Sequence, residues 1–332
     1  MAYTGVMAED ARPNTEIVTE IDPLLARSVI VTGTHYSTTT LVGALLHTAP
    51  EFHLLHEPLN PEPTLSYDSL KPPRWYEYYD DDRFGALQAG LARMLRRGPV
   101  IPELLKRAIQ IRSGKQLGQV GRYAQRKLPV LLSPRPAILK DPFLAFSART
   151  LQQRAGTKVV VCLRHPGGFA ESMVRKAGYF DFTHFTGQPW LMDMLAGDAE
   201  LVERFARTPG TPHEQAALLW RVVYGFAVRH LLPDPRTTLV RQEEFLSSRE
   251  ATAQRLLAFV GGTKTERLQR FLSENFRSHA PDRSGNSYIR RDPHIATMQW
   301  RSKMTPAEVA TVREMTEPLA HDLGYDTESW PR

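Results

Sequence analysis

The chain has 332 residues, of which 42% are hydrophobic and 23% charged, a composition typical of a globular protein with a sizeable core. Lys and Arg exceed Asp and Glu by 42 to 36, and this excess favours an anionic ligand without separating a nucleotide from a nucleic acid or a glycan. One cysteine, Cys162, excludes an internal disulfide, and no apolar run predicts a signal peptide or membrane span, so we expect a cytoplasmic protein.

The first predicted elements follow a polar segment, residues 1–26, which we expect to be a flexible tail. The β-branched run 28–32 predicts a buried strand that ends at Gly33. Apolar spacing over 40–48 predicts a helix, and 52–55 predict the next strand. A strand, a glycine, a polar loop and a helix form the first βα unit.

Residues 60–135 differ in composition and predict an insertion of helices and loops. They contain an aromatic and acidic cluster, residues 75–82, and a basic helical stretch over about 87–127. The cluster and the basic stretch suit either a lid or acceptor groove, or ordinary packing on the surface of helices.

Later segments alternate between strands and helices. Strands are predicted at 137–139, 159–163 and 237–240, and Cys162 lies inside the second of them as a buried, unreactive residue. Helix starts with a hydroxyl residue three positions before a glutamate are predicted at Thr211, Ser247 and Thr305. This alternation predicts a single α/β domain over 27–332, with a central parallel sheet and helices on both faces.

The loop after the first strand, residues 33–40, favours phosphate binding. A strand-to-helix loop presents backbone N–H groups and the positive end of the helix dipole to an anion. The loop residues that we assign to this role are His35, Tyr36, Ser37, Thr38, Thr39 and Thr40. An ordinary βα turn remains the alternative. Because the loop has no lysine at the Walker position, ATP or GTP hydrolysis is disfavoured.

A second anion site is predicted where the strand 159–163 ends at Arg164. An arginine at a strand end can fork onto a phosphate, and Ser172 on the following helix can add a hydroxyl. An arginine packed at the sheet edge and a serine on a solvated helix face are the alternatives.

Together, these two motifs resemble those of PAPS-dependent sulfotransferases, which bind a 5′-phosphosulfate at the first loop and a 3′-phosphate at the second. Ser37, Thr39 and Thr40 match the first motif, whereas Tyr36 replaces its Lys or Arg and Thr38 replaces its glycine. Further stretches are similar in the same order: they are 55–60, 138–142, 180–182, 188–189, 239–245, 300–301 and 305–308. The resemblance implies a P-loop-type fold.

The resemblance also implies sulfuryl transfer from PAPS to a hydroxyl of a glycan, lipid or small-molecule acceptor, with PAP as the product. Glu57 is the candidate general base, with His56 as its rival and a structural carboxylate as the alternative role. Such a glutamate needs a raised pKa. Lys140 is the candidate for the missing cation, with His35 as a weaker substitute. Arg301 is assigned to the nucleotide, and the resemblance implies that Arg290, Arg291 and Trp300 could close over it as well.

We also expect no bound metal and no nucleic-acid partner, and the chain is a possible homodimer. Three other functions remain open. The first is a homologue that binds PAP but has changed or lost sulfuryl transfer through Tyr36 and Thr38. The second is a nucleotide kinase or other NTPase, and the third is a polymer-binding module that uses the basic insertion.

Overall fold

Five short segments form one parallel sheet in the computed structural model, which describes residues 20–64, 67–96, 100–176, 178–276 and 297–331. The strands are β1 (Val29–Gly33), β2 (His53–His56), β3 (Ala137–Lys140), β4 (Lys158–Leu163) and β5 (Thr237–Arg241). They pair in the order β2-β3-β1-β4-β5, and every pairing is parallel. The predicted α/β class with a central parallel sheet is confirmed.

Helices connect the strands and cover the sheet. In chain order they are α1 (Pro23–Ala26), α2 (Thr39–Leu46), α3 (Phe84–Arg96), α4 (Val100–Ile109), α5 (Gly114–Leu132), α6 (Ser147–Ala155), α7 (Pro166–Lys176), α8 (Thr183–Thr186), α9 (Pro189–Met194), α10 (Ala199–Arg207), α11 (Pro212–His230), α12 (Gln242–Ser247), α13 (Arg249–Val260), α14 (Glu266–Asn275), α15 (Trp300–Lys303) and α16 (Pro306–Asp322). Three short 3₁₀ turns lie at Pro142–Leu144, Ala196–Asp198 and Thr327–Ser329. Within the described ranges, no helix is long and apolar enough to cross a bilayer.

Both faces of the sheet are buried. Successive side chains of a strand point to opposite faces, so Ile30 and Val161 pack in one apolar cluster and Val31 and Cys162 in the other. Burial of Cys162 raises the pKa of its thiol, because the interior disfavours the thiolate. Cys162 is therefore the buried, unreactive strand residue that the sequence predicts.

The segment between β2 and β3 contains α3, α4 and α5 and, in its described residues, no strand. Tyr76 and Tyr78 of its aromatic and acidic cluster are buried in the core, and the buried Glu77 pairs with Arg83 at 2.7 Å. The first half of the cluster is therefore core, not a lid.

The N-termini of α11 and α16 carry capping boxes at Thr211 and Thr305, as predicted. The helix start predicted at Ser247 lies one residue early, because α13 begins at Arg249 with Ser248 at its N-cap position. Helix α12 begins directly after β5, so Ser247 lies in its last turn and donates a hydrogen bond to the carbonyl of Glu244. At the chain's start, the predicted tail lies outside the described residues up to position 19, whereas Asp22 caps α1.

Candidate functional site

The carboxyl ends of the four neighbouring strands β2, β3, β1 and β4 meet at one edge of the sheet, because all of them run in the same direction. His56 pairs in register with Lys140, and Gly33 pairs with Cys162. Parallel pairing therefore gathers most of the residues predicted from four separate stretches of sequence at one edge.

The loop from β1 to α2 has an unusual backbone. Gly33, Tyr36 and Thr38 have φ angles of 139°, 65° and 69°. At Gly33 only glycine fits, since a Cβ there would collide with the carbonyl oxygen of Cys162. Positive φ in a β-branched residue such as Thr38 is a strained conformation that the surrounding structure must hold in place.

Tyr224, on α11, provides a hydrogen-bonding centre behind this loop. Its buried hydroxyl donates to the carbonyl of Cys162 at 2.7 Å and accepts from the backbone N–H of Thr34 at 3.3 Å. It also lies 3.1 Å from the hydroxyls of Thr34 and Ser37, which contact each other. The Ser37 side chain therefore points into the loop and helps to hold the loop's conformation.

The last three predicted loop residues lie at the start of α2. Thr38 occupies the N-cap position, Thr39 is buried and Thr40 is partly buried. The ring of Tyr36 carries the ammonium of Lys176 above it, 4.5 Å from the ring centre. A cation from the end of α7 thus stands beside the position where the resembled motif has its own Lys or Arg.

His35 is enclosed by aromatic residues. Its Nδ1 lies 3.0 Å from the hydroxyl of Tyr76, and its ring makes an edge contact with Phe169. Burial, opposed in part by the charge of Glu57, lowers the pKa of His35 to about 4. The hypothesis that His35 supplies a substitute cation does not fit this environment, because its ring is neutral at pH 7.

Arg164 links the second predicted motif to the first. Its buried Nη1 donates to the hydroxyl of Ser172 at 2.9 Å and to the carbonyl of Tyr36 at 3.1 Å. Burial lowers the pKa of Arg164, although the nearby charges of Glu243 and Glu171 oppose that effect. The guanidinium thus lies between α7 and the β1–α2 loop.

Trp300 closes the start of α7. Its ring stacks on His165 at 4.6 Å between centres, and a Cβ at either Gly167 or Gly168 would press on it. Arg301 donates to the carbonyl of Ser329 at 2.6 Å and lies over the Trp300 ring. Of the arginines considered for the nucleotide, Arg290 and Arg291 lie outside the described residues.

Lys140 and Glu57 form an ion pair at the ends of β3 and β2, with Nζ 2.5 Å from Oε1. Gly43 of α2 makes room for the buried stem of Lys140, since a Cβ there would lie 2.8 Å from its Cγ. Glu57 has a φ of 52°, and its second oxygen accepts from Asn60 at 2.8 Å.

The protonation of Glu57 differs from the expectation. Burial has the largest single effect and would raise its pKa, but the charges of Lys140 and His56 and the hydrogen bonds from Lys140 and Asn60 together outweigh burial and hold the pKa below its ordinary value. His56 is stacked on Tyr67 at 4.0 Å, and burial together with Lys140 lowers its pKa to about 3. In this state Glu57 is a paired carboxylate and His56 a neutral, weakly basic imidazole.

Asp141 is a buried support that the sequence analysis missed. Its carboxylate accepts from the backbone N–H groups of Leu59 at 2.6 Å and Phe143 at 2.8 Å, which fixes the turn after Glu57. Burial and the charge of Glu57 raise its pKa to about 8. The Asp-Pro pair at a strand end signals a helix cap. By contrast, the positions of Tyr76, Lys176 and Tyr224 carried no comparable signal.

No family model matches the sequence, and no curated protein matches it. Among solved structures, the chain is similar to a sulfotransferase domain from the curacin biosynthetic pathway, with 15% identity, a TM-score of 0.46, and coverage of 88% of this chain and 97% of that one. It is also similar to a sulfotransferase domain from the Synechococcus PCC 7002 olefin synthase, with 17% identity, a TM-score of 0.44, and coverage of 88% of this chain and 94% of that one. A Mycobacterium avium sulfotransferase is similar as well, with 16% identity, a TM-score of 0.41, and coverage of 89% of this chain and 76% of that one.

Proposed function

We propose that this protein is a sulfotransferase that moves a sulfuryl group from PAPS to the hydroxyl of an acceptor. The observation that carries the proposal is the position of Arg164, whose buried guanidinium bonds both Ser172 on α7 and the Tyr36 carbonyl of the β1–α2 loop. One arginine therefore joins the two segments to which the sequence assigns the two phosphates of a single nucleotide.

Backbone strain supports a functional role for the same place. Among the described residues, six other than glycine have a positive φ, and four of these lie at this edge: they are Tyr36, Thr38, Glu57 and Tyr76. Such conformations cost about 1–3 kcal/mol each and gather where a ligand or a reaction requires them. The loop supplies N–H groups and a helix N-terminus, and Arg164 supplies the charge.

In the proposed reaction, Glu57 accepts the proton of the acceptor hydroxyl as that oxygen bonds to sulfur. The bond between sulfur and the bridging phosphate oxygen breaks, and the leaving PAP keeps the electron pair. Lys140 stabilises the charge that develops on this oxygen. When Lys140 moves from Glu57 towards the donor, it relieves Glu57 of its paired charge and raises the carboxylate's pKa, as a general base requires.

Two lysines compensate for Tyr36 in this proposal. Lys140 is buried at the end of β3, and Lys176 lies over the Tyr36 ring. Both stand beside the loop, so the cation that the resembled motif carries at position 36 comes here from elements distant in sequence. The acceptor class stays open among glycans, lipids and small molecules.

Calorimetric titration with PAP tests the proposal. We expect wild type to bind with a dissociation constant on the order of micromolar, and Arg164→Ala to bind about 10- to 100-fold more weakly. Ser172→Ala removes one neutral hydrogen bond and should have a smaller effect in the same direction. Arg236→Ala is the matched control, because Arg236 bonds Asp234 and Gln152 at the opposite edge of the sheet. A wild type that does not bind PAP would contradict the assignment.

One observation favours a second function, a homologue that binds PAP without transferring sulfate. In this structure the candidate base Glu57 is held by Lys140, and its pKa is lowered. Turnover of PAPS with a panel of hydroxyl acceptors separates the two, since this homologue binds PAP and leaves PAPS intact with every acceptor.

A further inference from the structure

The helical hairpin of α4 and α5 exposes an unusual amount of apolar surface. Of the eight large hydrophobic side chains that are exposed among the described residues, five belong to this hairpin. They are Leu105, Ile109, Leu117, Leu128 and Leu132, with exposed fractions of 62%, 73%, 60%, 47% and 85%. Single exposed leucines are ordinary, but such a concentration on two adjacent helices marks an interaction surface.

The apolar side chains have a regular arrangement on α5. Val120, Tyr123 and Val130 face the core. Leu117, Leu128 and Leu132 share another stripe at helical spacing, on one flank of the inward face. On α4, Leu105 and Ile109 lie one turn apart and are exposed. Each helix therefore has more apolar surface than it buries against the rest of the protein.

Basic residues accompany this apolar surface. Residues 100–135 contain eight Lys or Arg and one Glu, so this segment alone has a larger positive net charge than the whole chain. Arg107 and Lys127 are buried against Asp68. Exposed basic residues on the hairpin are Lys106, Arg112, Lys115 and Arg122. On α5, Lys115 and Arg122 occupy the other flank of the solvent-facing side.

We propose that the α4–α5 hairpin docks on an anionic membrane surface, with its leucines and isoleucine in the headgroup boundary and its Lys and Arg side chains against acidic lipid headgroups. Amphipathic helices with leucines on one side and Lys or Arg on the other lie in the membrane interface in this way. The charge of the hairpin favours an anionic membrane over a second copy of this chain. In a dimer formed through this surface, two strongly positive hairpins would face and repel each other.

The docked face is connected to the candidate site. The guanidinium of Arg126, on α5, lies 4.6 Å above the ring of Tyr67, which stacks on His56 beside Glu57. The helix that docks therefore contacts, through Tyr67, the strand end that carries His56 and leads to Glu57. The docking itself needs no nucleotide and no turnover, so it can be tested independently of the proposed function.

Vesicle co-sedimentation with the full chain tests the inference. We expect binding to phosphatidylcholine vesicles that contain 30% phosphatidylglycerol, a much weaker signal with phosphatidylcholine alone, and release at high salt. The double variant Ile109→Gln/Leu117→Gln should bind about tenfold more weakly or worse. Lys115→Gln/Arg122→Gln should bind about 25-fold more weakly. All four side chains are exposed, so these variants should fold, which circular dichroism checks.

Matched controls separate docking from the general attraction of a basic protein to acidic lipid. Arg154→Gln/Arg207→Gln removes two exposed charges elsewhere, and Tyr179→Gln removes an exposed aromatic ring outside the hairpin. Both controls should bind vesicles nearly as well as wild type. The inference is overturned if wild type does not bind acidic vesicles, or if hairpin and control variants lose binding equally. A lipid-free dimer that the hairpin variants dissociate, seen by light scattering, would also overturn it and assign the surface to a second copy.

Discussion

The hydroxyl of Tyr224 lies 3.1 Å from the hydroxyl of Ser37, although α11 and the β1–α2 loop are far apart in the sequence. The same hydroxyl donates to the carbonyl at the end of β4. A single phenol from a helix interior thus holds the candidate phosphate loop against the strand that leads to Arg164. The shape of the loop depends on this contact as well as on its own residues.

Tyr224→Phe should therefore weaken PAP binding about tenfold while the protein remains folded. The change leaves the Thr34 N–H and two hydroxyls without this partner, at a cost of about 1–3 kcal/mol shared between stability and loop order. Calorimetry measures the affinity. Tyr123→Phe is the control, because it removes a comparable hydroxyl bond to Asp68 in the insertion and should leave PAP affinity unchanged. Equal losses in both variants would refute a specific role of Tyr224.

Thr38→Gly should stabilise the protein relative to Thr38→Ala by about 1 kcal/mol. Thr38 has a φ of 69°, where glycine has no steric penalty and a residue with a Cβ does. Chemical unfolding of the two variants gives the difference directly. A more stable alanine variant would mean that the loop adopts another conformation in solution.

Glu57→Gln should lower the sulfuryl-transfer rate about 10²- to 10⁴-fold and leave PAP affinity within about twofold of wild type, because it removes the proposed base but no phosphate contact. The amide is nearly isosteric and retains an oxygen for Asn60. Single-turnover rates and PAP titrations measure the two quantities. An unchanged rate would transfer the role of base to His56 or exclude base catalysis here.

Lys140→Met should destabilise the protein by about 2–4 kcal/mol, since it leaves the Glu57 carboxylate without the ammonium 2.5 Å away. Adding Glu57→Gln should recover part of this loss, because the remaining side chain is then neutral. A double-mutant cycle by chemical unfolding measures the coupling. Additive effects would show that the ion pair contributes nothing in solution.

The free energy of unfolding should fall as the pH is lowered from about 6.5. Burial lowers the pKa of His35 to about 4 and that of His56 and His165 to about 3, from an ordinary value of 6.5. The unfolded chain therefore binds more protons than the folded protein below pH 6.5, and each histidine costs up to about 1.4 kcal/mol per pH unit. The stability that neutral histidines provide is complete above pH 6.5 and is lost towards their folded pKa values.

Denaturant titrations at pH 7.5 and 5.5 test this dependence. The window lies above the titration of Glu57, whose pKa is held below its ordinary value of 4.5. Asp141 opposes the histidines in this window, because its raised pKa of about 8 lets the folded protein keep a proton that the unfolded chain releases. One carboxyl offsets part of the loss from three histidines, so a net loss of stability towards pH 5.5 is still expected. His56→Gln should reduce the loss between the two pH values. If the wild type were equally stable at pH 7.5 and pH 5.5, the lowered pKa values of His35, His56 and His165 would be contradicted.

The sequence by itself determined the parallel sheet. Apolar and β-branched runs at 28–32, 137–139 and 159–163 predicted strands, and the structure has β1, β3 and β4 there. Capping boxes at Thr211 and Thr305 are set by residues three positions apart, so a local pattern suffices to predict them. Ser247 has the same pattern, but it lies in the last turn of α12 and the N-cap of α13 is Ser248, so the local pattern placed this helix start one residue early.

Only the tertiary structure decided the chemistry of the site. The Lys140–Glu57 ion pair, the contacts of His35 with Tyr76 and Phe169, and the contact of Tyr224 with Ser37 each join residues from separate elements. A pKa depends on the charges and solvent within a few ångströms, and chain position alone does not specify those surroundings. The sequence therefore predicted which residues stand at the strand ends, while packing determined that Glu57 is paired and that His35 is neutral.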